Sequence, residues 1–323
     1  MWNQLPAFAK AGRAMPFALR KMHLKTPNLK LYRIATILFA AGLCMTNTAH
    51  AADTLSKIRD SQTITLAYRE TPPFAFTAEN KQVAGYSIDV CLKVAEAVKR
   101  ELKLPSLKVA YLPVDTTTRF TSVIDGTADI ECGSTTNNAD RRNRVAFTIS
   151  HFFSSVRMIV KQSSGIHNWS DLKERTLAST HNTTTIDLIN ARNNVRSLNL
   201  HIIEGKDDQQ SFGYVENGQA DAFAMDDVLL YSFRSLAKRP DDFVVVGEPL
   251  SVEPYSIMFR KNDPEFKKLV DHELTRLINE GELQRIYHHW FLEPTGPKGN
   301  NMNMPMGYLL RDSFRFPTDR TAD

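Results

Sequence analysis

Beyond its first 51 residues, the chain lacks an excess of charge of either sign. Those 51 residues carry seven of the 40 Lys and Arg and none of the 36 Asp and Glu, which leaves 33 basic and 36 acidic side chains and a net charge of −3. Such a balance provides no electrostatic footprint for nucleic acid. The chain also lacks G-x-S-x-G and H-E-x-x-H, two motifs of hydrolases and zinc proteases.

Long hydrophobic runs are missing as well. The unbroken apolar run over residues 34–45 is shorter than the roughly 20 residues that span a bilayer. It follows a positively charged region and precedes Ala49-His50-Ala51, an A-x-A cleavage pattern typical of a secretory signal peptide. We therefore predict that residues 1–51 are a signal peptide cleaved near Ala51, with Met22 as an alternative start, and that the product is periplasmic.

Cysteine is scarce, with three in the chain. Cys44 lies in the predicted signal peptide, which leaves Cys91 and Cys132, an even count in an oxidising compartment. Cys91 is predicted on the inner face of a helix, and Cys132 at the end of the strand that feeds a polar segment described below. Both a disulfide and a pair of buried free thiols agree with this placement.

Strands and helices alternate along the first half of the mature chain. Residues 64–68 alternate apolar and polar side chains with the period of a strand. Residues 87–103 repeat apolar side chains at steps of three and four, as an amphipathic helix does. A second strand leads into a helix that Asp115 or Thr116 can cap and that runs through Ile124, and a third strand covers residues 128–130. This alternation indicates an α/β fold.

The second half continues the pattern. A strand over residues 176–180 precedes a helix over residues 182–193, whose first N–H groups can face an anion. Asp263-Pro264-Glu265 predicts the start of another helix, because it offers an N-cap, a proline at the first position and an acid in the first turn. An aromatic-rich helix follows Gly281. Residues 294–323, rich in Pro and Met, are predicted to lie as a strap across the surface.

A sequence pattern that occurs twice in the chain indicates two lobes of related architecture. Asp125-Gly126-Thr127-Ala128-Asp129 resembles Asn217-Gly218-Gln219-Ala220-Asp221, and each follows a short predicted helix and precedes an apolar strand. Ser134 lies eight residues after the first glycine, and Asp226 lies eight residues after the second. We predict that the two units place polar groups at matching strand ends, facing one cleft.

A polar segment with the sequence ECGSTTNNADRR, residues 131–142, follows the third strand. Ligands of open α/β sheets bind outside the carboxyl ends of the strands. Ser134, Thr135 and Thr136 supply hydroxyls that can accept from an ammonium group. Arg141 offers a planar guanidinium that pairs with a carboxylate bidentately. Ammonium acceptors beside a carboxylate partner match the backbone groups of a free amino acid.

This segment resembles the ligand segment of glutamate/aspartate-binding proteins, the periplasmic receptors of amino-acid ABC importers within bacterial extracellular solute-binding protein family 3. Gly85-Tyr86-Ser87-Ile88-Asp89-Val90 resembles a second motif of the family, with Ser87 where an acidic residue is usual. The resemblance covers about residues 53–294. It implies a type II periplasmic-binding-protein fold, in which two α/β lobes are joined by a two-stranded hinge.

The chain is predicted to cross between the lobes twice, near residues 151–158 and near residues 249–256. The predicted parts after the signal peptide are lobe 1 over residues 52–153 and 254–292, lobe 2 over residues 154–253, and a C-terminal tail over residues 293–323.

By the family pattern, Arg141 binds the α-carboxylate of the ligand. Ser134, Thr136 and Asp226 receive the α-ammonium group in that pattern. The chemistry agrees, because an ammonium group in a closed, dry cleft needs an anionic partner, which Asp226 supplies.

The resemblance adds contacts to the carboxylate from the second lobe, through Thr180 and Thr183. Selectivity for the ligand side chain is expected from Arg69, at the end of the first strand, and from Arg119, in the first turn of a helix. Two guanidinium groups beside one cleft favour a ligand with a second carboxylate, and Thr116 can add a hydroxyl.

Two features depart from the acidic-amino-acid receptors. The loop over residues 69–74 is one residue shorter, and Asp208 stands where those receptors place a ligand-contacting His. If Asp208 faces the ligand, it repels a carboxylate; if it pairs with Arg69 or Arg119, it orients that guanidinium.

These features predict a binding protein rather than an enzyme. It would capture an L-amino acid, glutamate or aspartate first, and deliver it to the membrane permease of an ABC importer. We expect a monomer that uses no cofactor or metal and binds no nucleic acid. Three alternatives stay open: a receptor for glutamine or asparagine, an enzyme such as a dehydratase on the same fold, and the ligand-sensing domain of a membrane receptor. The last is disfavoured by the lack of a spanning segment after the signal peptide.

Overall fold

The structure is a computed structural model, and it describes residues 53–299 and 301–320. The predicted signal peptide, its cleavage site and the alternative start at Met22 lie outside the described residues. Among the residues described, no helix is both long enough and apolar enough to cross a membrane.

Fourteen strands are present in the described part of the chain. In chain order they are β1 (Thr63–Tyr68), β2 (Phe76–Thr77), β3 (Val83–Ala84), β4 (Lys108–Pro113), β5 (Ile130–Glu131), β6 (Val145–Phe147), β7 (Phe152–Ser154), β8 (Val156–Lys161), β9 (Thr176–Thr180), β10 (His201–Gly205), β11 (Ala222–Asp226), β12 (Phe243–Val246), β13 (Glu253–Tyr255) and β14 (Met258–Arg260).

Ten α-helices accompany them over the same residues. In chain order they are α1 (Thr54–Ser61), α2 (Tyr86–Leu102), α3 (Arg119–Ile124), α4 (Ala139–Arg142), α5 (Thr184–Arg196), α6 (Asp208–Glu216), α7 (Asp227–Leu236), α8 (Pro264–Asn279), α9 (Glu282–Leu292) and α10 (Tyr308–Arg315).

Two five-stranded sheets form the centres of two lobes. The first sheet has the order β4-β1-β5-β14-β6 and the second the order β10-β9-β11-β8-β12. In each sheet the first three strands are parallel, and the fourth runs antiparallel to both of its neighbours. Helices cover the faces of such sheets, which is why β11, AFAMD, is buried at every position. The two-lobed α/β fold predicted from the sequence is confirmed.

A third, two-stranded pairing joins the segments that run between the sheets. β7 pairs antiparallel with β13, with Phe152 opposite Tyr255 and Phe153 opposite Pro254. Both strands fall within the crossings predicted from the sequence. Aromatic side chains cluster beside this pair: the Phe74 ring lies 4.9 Å from the Phe152 ring and 5.1 Å from the Tyr255 ring, centroid to centroid. The lobe boundaries themselves stay a prediction.

The start of α2 is fixed by a close backbone approach. Gly85 precedes the helix with φ at +139°, and a Cβ on it would lie 2.2 Å from the carbonyl oxygen of Phe74. The glycine is therefore needed both for its backbone conformation and for its lack of a side chain. Further along α2, the Sγ atoms of Cys91 and Cys132 are bonded in a disulfide that ties the helix to the segment after β5.

The two segments of similar sequence, residues 125–129 and 217–221, have equivalent structures in the two lobes. Asp129 accepts from the N–H of Thr65 at 2.7 Å, and Asp221 accepts from the N–H of Thr176 at 2.9 Å. Each aspartate therefore ties the start of the third strand of its sheet to the start of the second strand. Gly126 closes the preceding helix at positive φ in the first lobe, as the equivalent glycine does in the second. β5 and β11 consequently end at equivalent edges of their sheets.

Some predicted boundaries were wrong. The helix that Asp115 or Thr116 was predicted to cap has Thr118 as its N-cap and begins at Arg119, because Asp115 Oδ1 accepts from the N–H groups of Thr117 and Thr118 and closes a turn first. The strand predicted over residues 128–130 is β5, one to two residues later. The C-terminal tail contains α10, whose Leu310 and Phe314 are buried; its Pro and Met content did not predict a helix.

Candidate functional site

The candidate site lies where the carboxyl ends of the strands of both sheets face each other. From the first sheet, β1 delivers Arg69, the turn after β4 delivers Thr116 and Arg119, and β5 leads into residues 132–142. From the second, β9 ends at Thr180, α6 begins at Asp208, and β11 ends at Asp226. All eleven side chains predicted to bind the ligand are buried. They are Arg69, Thr116, Arg119, Ser134, Thr135, Thr136, Arg141, Thr180, Thr183, Asp208 and Asp226.

Three arginines converge on the first-lobe side. Arg69, Arg119 and Arg141 are 6%, 2% and 8% exposed, an unusual fate for arginine. Burial, followed by the charges of Arg141 and Arg69, lowers the pKa of Arg119 to about 9. The guanidinium therefore stays charged at neutral pH, and this part of the site is suited to anions.

Each of these arginines is oriented by a polar neighbour from the first lobe. Arg119 donates from Nη1 to Thr135 Oγ1 at 2.9 Å, and Arg141 donates from Nη1 to the carbonyl oxygen of Thr136 at 2.9 Å. The Phe120 ring lies 5.2 Å from the guanidinium carbon of Arg119 and 5.4 Å from that of Arg141. The ring face therefore stabilises both cations without neutralising them.

Arg141 is placed by a short helix. Asn138 precedes α4, and its side chain accepts from the N–H of Arg141 at 2.9 Å. This cap explains why residues 139–142 form a short helix at that point. Burial lowers the pKa of Arg141, although Glu253 and Asp226 in the surroundings oppose that change.

Arg69 already has an anionic partner from the second lobe. Its Nη1 donates to Asp208 Oδ2 at 2.7 Å, and its Nη2 donates to Ser134 Oγ at 3.3 Å. Burial lowers the pKa of Arg69, but Asp208, with smaller contributions from Glu131 and Tyr255, raises it, and the net direction is upward. Of the two placements considered for Asp208, the structure shows the one in which it pairs with Arg69.

Asp226 is a carboxylate at the end of β11 that contacts the hinge strand β13. Tyr255, on β13, donates its hydroxyl to Asp226 Oδ2, and Tyr255 also forms a β-bridge with Thr136. Burial, with the nearby charge of Glu253, raises the pKa of Asp226 well above its usual range. A cationic ligand group would therefore stabilise the charged form of this carboxylate.

The threonines contact the site in different ways. Thr183 is the N-cap of α5, since its Oγ1 accepts from the N–H of Ile186. Thr180 Oγ1 shares a hydrogen bond of 3.0 Å with Ser211 Oγ, which points its hydroxyl toward α6. Thr116 lines both of the cavities that flank the buried cluster.

Sequence reasoning missed Glu131, which is fully buried. Neither of its carboxylate oxygens has a hydrogen-bond partner in the described structure. Burial raises its pKa, and Arg119 opposes that rise. A Cβ on Gly133 would lie 2.5 Å from Glu131 Oε1, so the glycine leaves the space that the carboxylate occupies. The sequence did offer one sign of Glu131: it is an acidic residue at the end of an otherwise apolar strand.

Two cavities are lined in part by residues of the buried cluster. One, of about 810 Å³, is lined by Arg69 and Thr116 from the first lobe and by Asp207, Gln209 and Phe212 from the second, among others. The other, of about 510 Å³, is lined by Arg141, Thr183 and further residues of both lobes. The Arg69 end of the cluster therefore borders the first cavity, and its Arg141 end borders the second.

Catalytic alternatives find little support in these side chains. Cys132 is engaged in the disulfide, so it offers no thiol beside His181. His288 and His289 both contact the carboxylate of Glu293 at the surface. Within the described part of the chain, no group of three or more His, Cys, Asp or Glu could hold a metal ion.

The fold and the buried polar cluster between the lobes define a two-lobed solute-binding protein. Residues 64–293 match the family described as bacterial extracellular solute-binding proteins, family 3. A Pseudomonas aeruginosa protein named L-glutamate/L-aspartate-binding protein is 44% identical over 272 residues, 84% of this chain and 90% of that protein. The chain therefore belongs to the bacterial extracellular solute-binding proteins, family 3.

Further relatives agree with this membership. The glutamate/aspartate import solute-binding protein of Escherichia coli K12 is 36% identical over 305 residues, 94% of this chain and 100% of that protein. An ABC uptake transporter substrate-binding protein from Streptococcus pneumoniae, crystallised with bound histidine, has a TM-score of 0.68 at 22% identity. That likeness covers 75% of this chain and 98% of the other, and it shows the fold alone.

Proposed function

We propose that this chain captures L-glutamate or L-aspartate in the periplasm and presents it to the membrane permease of an ABC importer. The observation that carries the proposal is the convergence of three buried arginines with Ser134 and Asp226 between two facing lobes. An acidic amino acid has two carboxylates and one ammonium group, and this cluster offers partners of both signs.

The ligand's α-carboxylate is assigned to Arg141, with Thr183 and the N-terminus of α5 adding donors from the second lobe. Its α-ammonium group is assigned to Asp226 together with the hydroxyls of Ser134 and Thr136. Because Asp226 Oδ1 is buried without a hydrogen-bond partner, an ammonium donor would satisfy it.

The side-chain carboxylate is assigned to Arg119, with Arg69, Thr116 and Thr135 beside it. The printed names of the Pseudomonas and Escherichia relatives support an acidic ligand independently.

A second candidate is a receptor for glutamine or asparagine. The ion pair between Asp208 and Arg69 favours it, because the pair leaves one guanidinium fewer for a ligand carboxylate. The acid remains first, since Arg119 and Arg141 both lack an ion-pair partner within hydrogen-bonding distance among the described residues.

The relatives named above are transport proteins, and we extend to this chain a binding role without catalysis. We also propose that it acts as a monomer, that lobe 2 corresponds to residues 154–253, and that the precursor is cleaved near Ala51. The disulfide between Cys91 and Cys132 supports an oxidising compartment.

Calorimetry tests the ligand assignment directly. The purified mature protein is titrated with glutamate, aspartate, glutamine and asparagine, with histidine as a control, and its melting temperature is recorded with each. At a thousandfold excess over Kd, the bound ligand should stabilise the fold by about 4 kcal/mol. Preference for the amides would reassign the protein to the second candidate. Failure of all four to bind would reject both.

A further inference from the structure

Tyr255, on the hinge strand β13, contacts both halves of the assigned ammonium site. Its backbone forms a β-bridge with Thr136, one of the first-lobe residues assigned to the ammonium group. Its hydroxyl donates to Oδ2 of Asp226, the second-lobe carboxylate assigned to the same group. The residue is fully buried. One hinge residue therefore connects two groups that are assigned to the same ligand atom.

The backbone around Tyr255 is fixed to the first-lobe polar segment by hydrogen bonds. The N–H of Asn137 donates to the carbonyl oxygen of Pro254 at 2.8 Å. The N–H of Ser256 donates to the carbonyl oxygen of Thr135 at 3.1 Å. The residues before and after Tyr255 are thus both paired with this segment, so the position of Tyr255 relative to the first-lobe hydroxyls is set by the backbone.

The two carboxylate oxygens of Asp226 have different surroundings. Oδ2 accepts from the Tyr255 hydroxyl, while Oδ1 is buried without a hydrogen-bond partner in the described structure. A buried acceptor without a partner costs free energy, and an ammonium donor would remove that cost. The hydroxyl therefore occupies one oxygen of the carboxylate and leaves the other for the ligand.

We propose that Tyr255 is a positioning residue for the ligand's α-ammonium group, because its hydroxyl holds the Asp226 carboxylate charged and at a fixed position relative to Thr136. Tyr255 acts through Asp226 and touches no ligand atom in this assignment. The inference rests on the proposed amino-acid function, since it starts from the ammonium site of that function. It does not depend on which ligand side chain is bound, because every L-amino acid considered above carries the ammonium group.

The charges around Asp226 make the hydroxyl necessary. Burial raises the pKa of Asp226, and three carboxylates raise it further: Glu253 on β13, Asp227 on α7 and Asp208 on α6. The Tyr255 hydroxyl lowers that pKa, since a hydrogen bond to the charged form stabilises it. Arg141, on α4, is a cation that interacts with Asp226. Loss of the hydroxyl should therefore raise the pKa of Asp226 in the free protein.

The Tyr255 hydroxyl remains a donor over the pH range in which proteins are studied. Burial, followed by the charge of Asp226, raises the pKa of Tyr255 well above its usual range. The phenol therefore keeps its proton, and a change of affinity with pH would come from the carboxylate rather than from the tyrosine.

The test is Tyr255→Phe, which keeps the ring and removes the hydroxyl, titrated with L-glutamate by calorimetry. A raised pKa leaves more of the free Asp226 protonated at low pH, and ammonium binding must displace that proton. Tyr255→Phe should therefore weaken L-glutamate about tenfold at about pH 6, and the loss should shrink toward about pH 9.

Tyr287→Phe is the matched control. Both tyrosine rings stack on Phe152, with centroid distances of 5.7 Å for Tyr255 and 6.0 Å for Tyr287. The Tyr287 hydroxyl, however, donates to the carbonyl oxygen of Met304 in the C-terminal tail. Tyr287→Phe should leave the affinity for L-glutamate and its pH dependence unchanged. Melting curves of both variants report their folding.

A double variant separates positioning from packing. In the Asp226→Asn background the side chain does not titrate, so adding Tyr255→Phe should weaken L-glutamate by no more than about twofold. If Tyr255 contributed only through the packing of the aromatic cluster, its loss would have the same effect with and without Asp226→Asn, and at every pH.

Two results would overturn the inference. In the first, the wild type binds L-glutamate and Tyr255→Phe weakens it no more than Tyr287→Phe does. In the second, the loss in Tyr255→Phe is the same at both pH values or persists in the Asp226→Asn background. Either result leaves the proposed function standing, because the wild type still binds. If the wild type binds none of the four amino acids, the proposed function and the inference fail together.

Discussion

The two sheets are alike in topology and opposite in the charge they present. Each has three parallel strands, one antiparallel strand and a fifth strand parallel to the first three. An aspartate, Asp129 or Asp221, ties the second and third strands together in each. At the edges that face each other, however, the first lobe contributes the cations Arg69, Arg119 and Arg141, and the second contributes carboxylates.

Arg119 and Asp208 show this difference at equivalent positions. Arg119 is the first residue of α3, the helix after the edge strand β4, and Asp208 is the first residue of α6, the helix after the edge strand β10. An acid is favourable at a helix N-terminus and a cation is not. Arg119 therefore occupies a position that the helix itself disfavours, which supports its proposed role in binding.

In this chain, the architecture of the sheets is shared by the two lobes, while the charged residues beyond the strand ends differ between them. The sheet order and the aspartate ties recur in both lobes, while the residues just beyond each strand end do not. Changes at those residues should alter binding with little effect on stability, and changes to the ties should do the reverse.

The largest expected effect comes from the first-lobe cations. Arg141→Ala should weaken every amino-acid ligand by about 2–5 kcal/mol, because the ligand carboxylate loses a buried charged partner. Arg144→Ala is the matched control: its guanidinium carbon also lies over the Phe120 ring, at 4.9 Å, but the side chain is exposed. Calorimetry with glutamate compares the two. Equal affinity of Arg141→Ala and wild type would remove Arg141 from the site.

A second difference between the lobes is covalent. Cys91 and Cys132 are the two cysteines beyond residue 51, so the second lobe has no disulfide. The bond closes a segment with a sequence separation of 41, and its loss in the double variant Cys91→Ala/Cys132→Ala should cost about 3 kcal/mol. Denaturant unfolding of the oxidised and variant proteins measures the change. A midpoint that does not move would show that the bond contributes nothing to stability.

The aspartate ties allow the two lobes to be compared atom for atom. The Asp129 side chain is 1% exposed and also pairs with Lys57, whereas the Asp221 side chain is 33% exposed and pairs with Arg175. Asp129→Ala should therefore lower the free energy of unfolding by about 2 kcal/mol, and Asp221→Ala by about 1 kcal/mol. Urea denaturation of both variants checks the order. Equal losses would mean that burial does not distinguish the two ties.

The smallest expected effect is the release of protons when the ligand binds. Burial raises the pKa of Asp226 in the free protein, and a bound ammonium group favours the charged form and lowers that pKa. Between the two pKa values, binding therefore releases about one proton or less, and affinity rises with pH by at most about 1.4 kcal/mol per pH unit. Calorimetry in buffers of different ionisation enthalpy counts the protons.

Asp226→Asn provides the control for this proton count. It should abolish the release, although it also weakens the ligand by removing an anionic partner. A wild type that takes up protons on binding, or a release that persists in Asp226→Asn, would assign the linkage to another group.

Much of the fold followed from local patterns in the sequence. The helix that contains Cys91, the strand over Thr176–Thr180 and the helix start at Asp263 were predicted because periodicity and capping are properties of neighbouring residues. The start of α3 was not, because an aspartate such as Asp115 can cap a helix or close a turn, and its side chain here closes a turn with Thr117 and Thr118.

The burial and clustering of the predicted site residues followed from the sequence, but their pairing did not, and their roles in ligand binding stay a prediction. All the predicted ligand-binding residues are buried at the facing strand ends, since short segments carry them there. The partner of Asp208 depended on how the two lobes approach each other, which no local pattern encodes. Glu131 was missed because a buried acid cannot be told from an exposed one until the strand's neighbours are known.

The ion pair between Arg69 and Asp208 also has a consequence for motion, because its two residues belong to different lobes. Separating the lobes would break this ion pair, so the pair biases the open–closed equilibrium toward closure wherever its attraction exceeds the cost of removing both charges from water. Each 1.4 kcal/mol of such bias multiplies the closed population about tenfold and lowers, by the same factor, the conformational cost that a ligand must meet. We therefore expect the wild-type protein to populate its closed form more than the Asp208→Ala variant does. We also expect it to release its bound ligand more slowly than that variant.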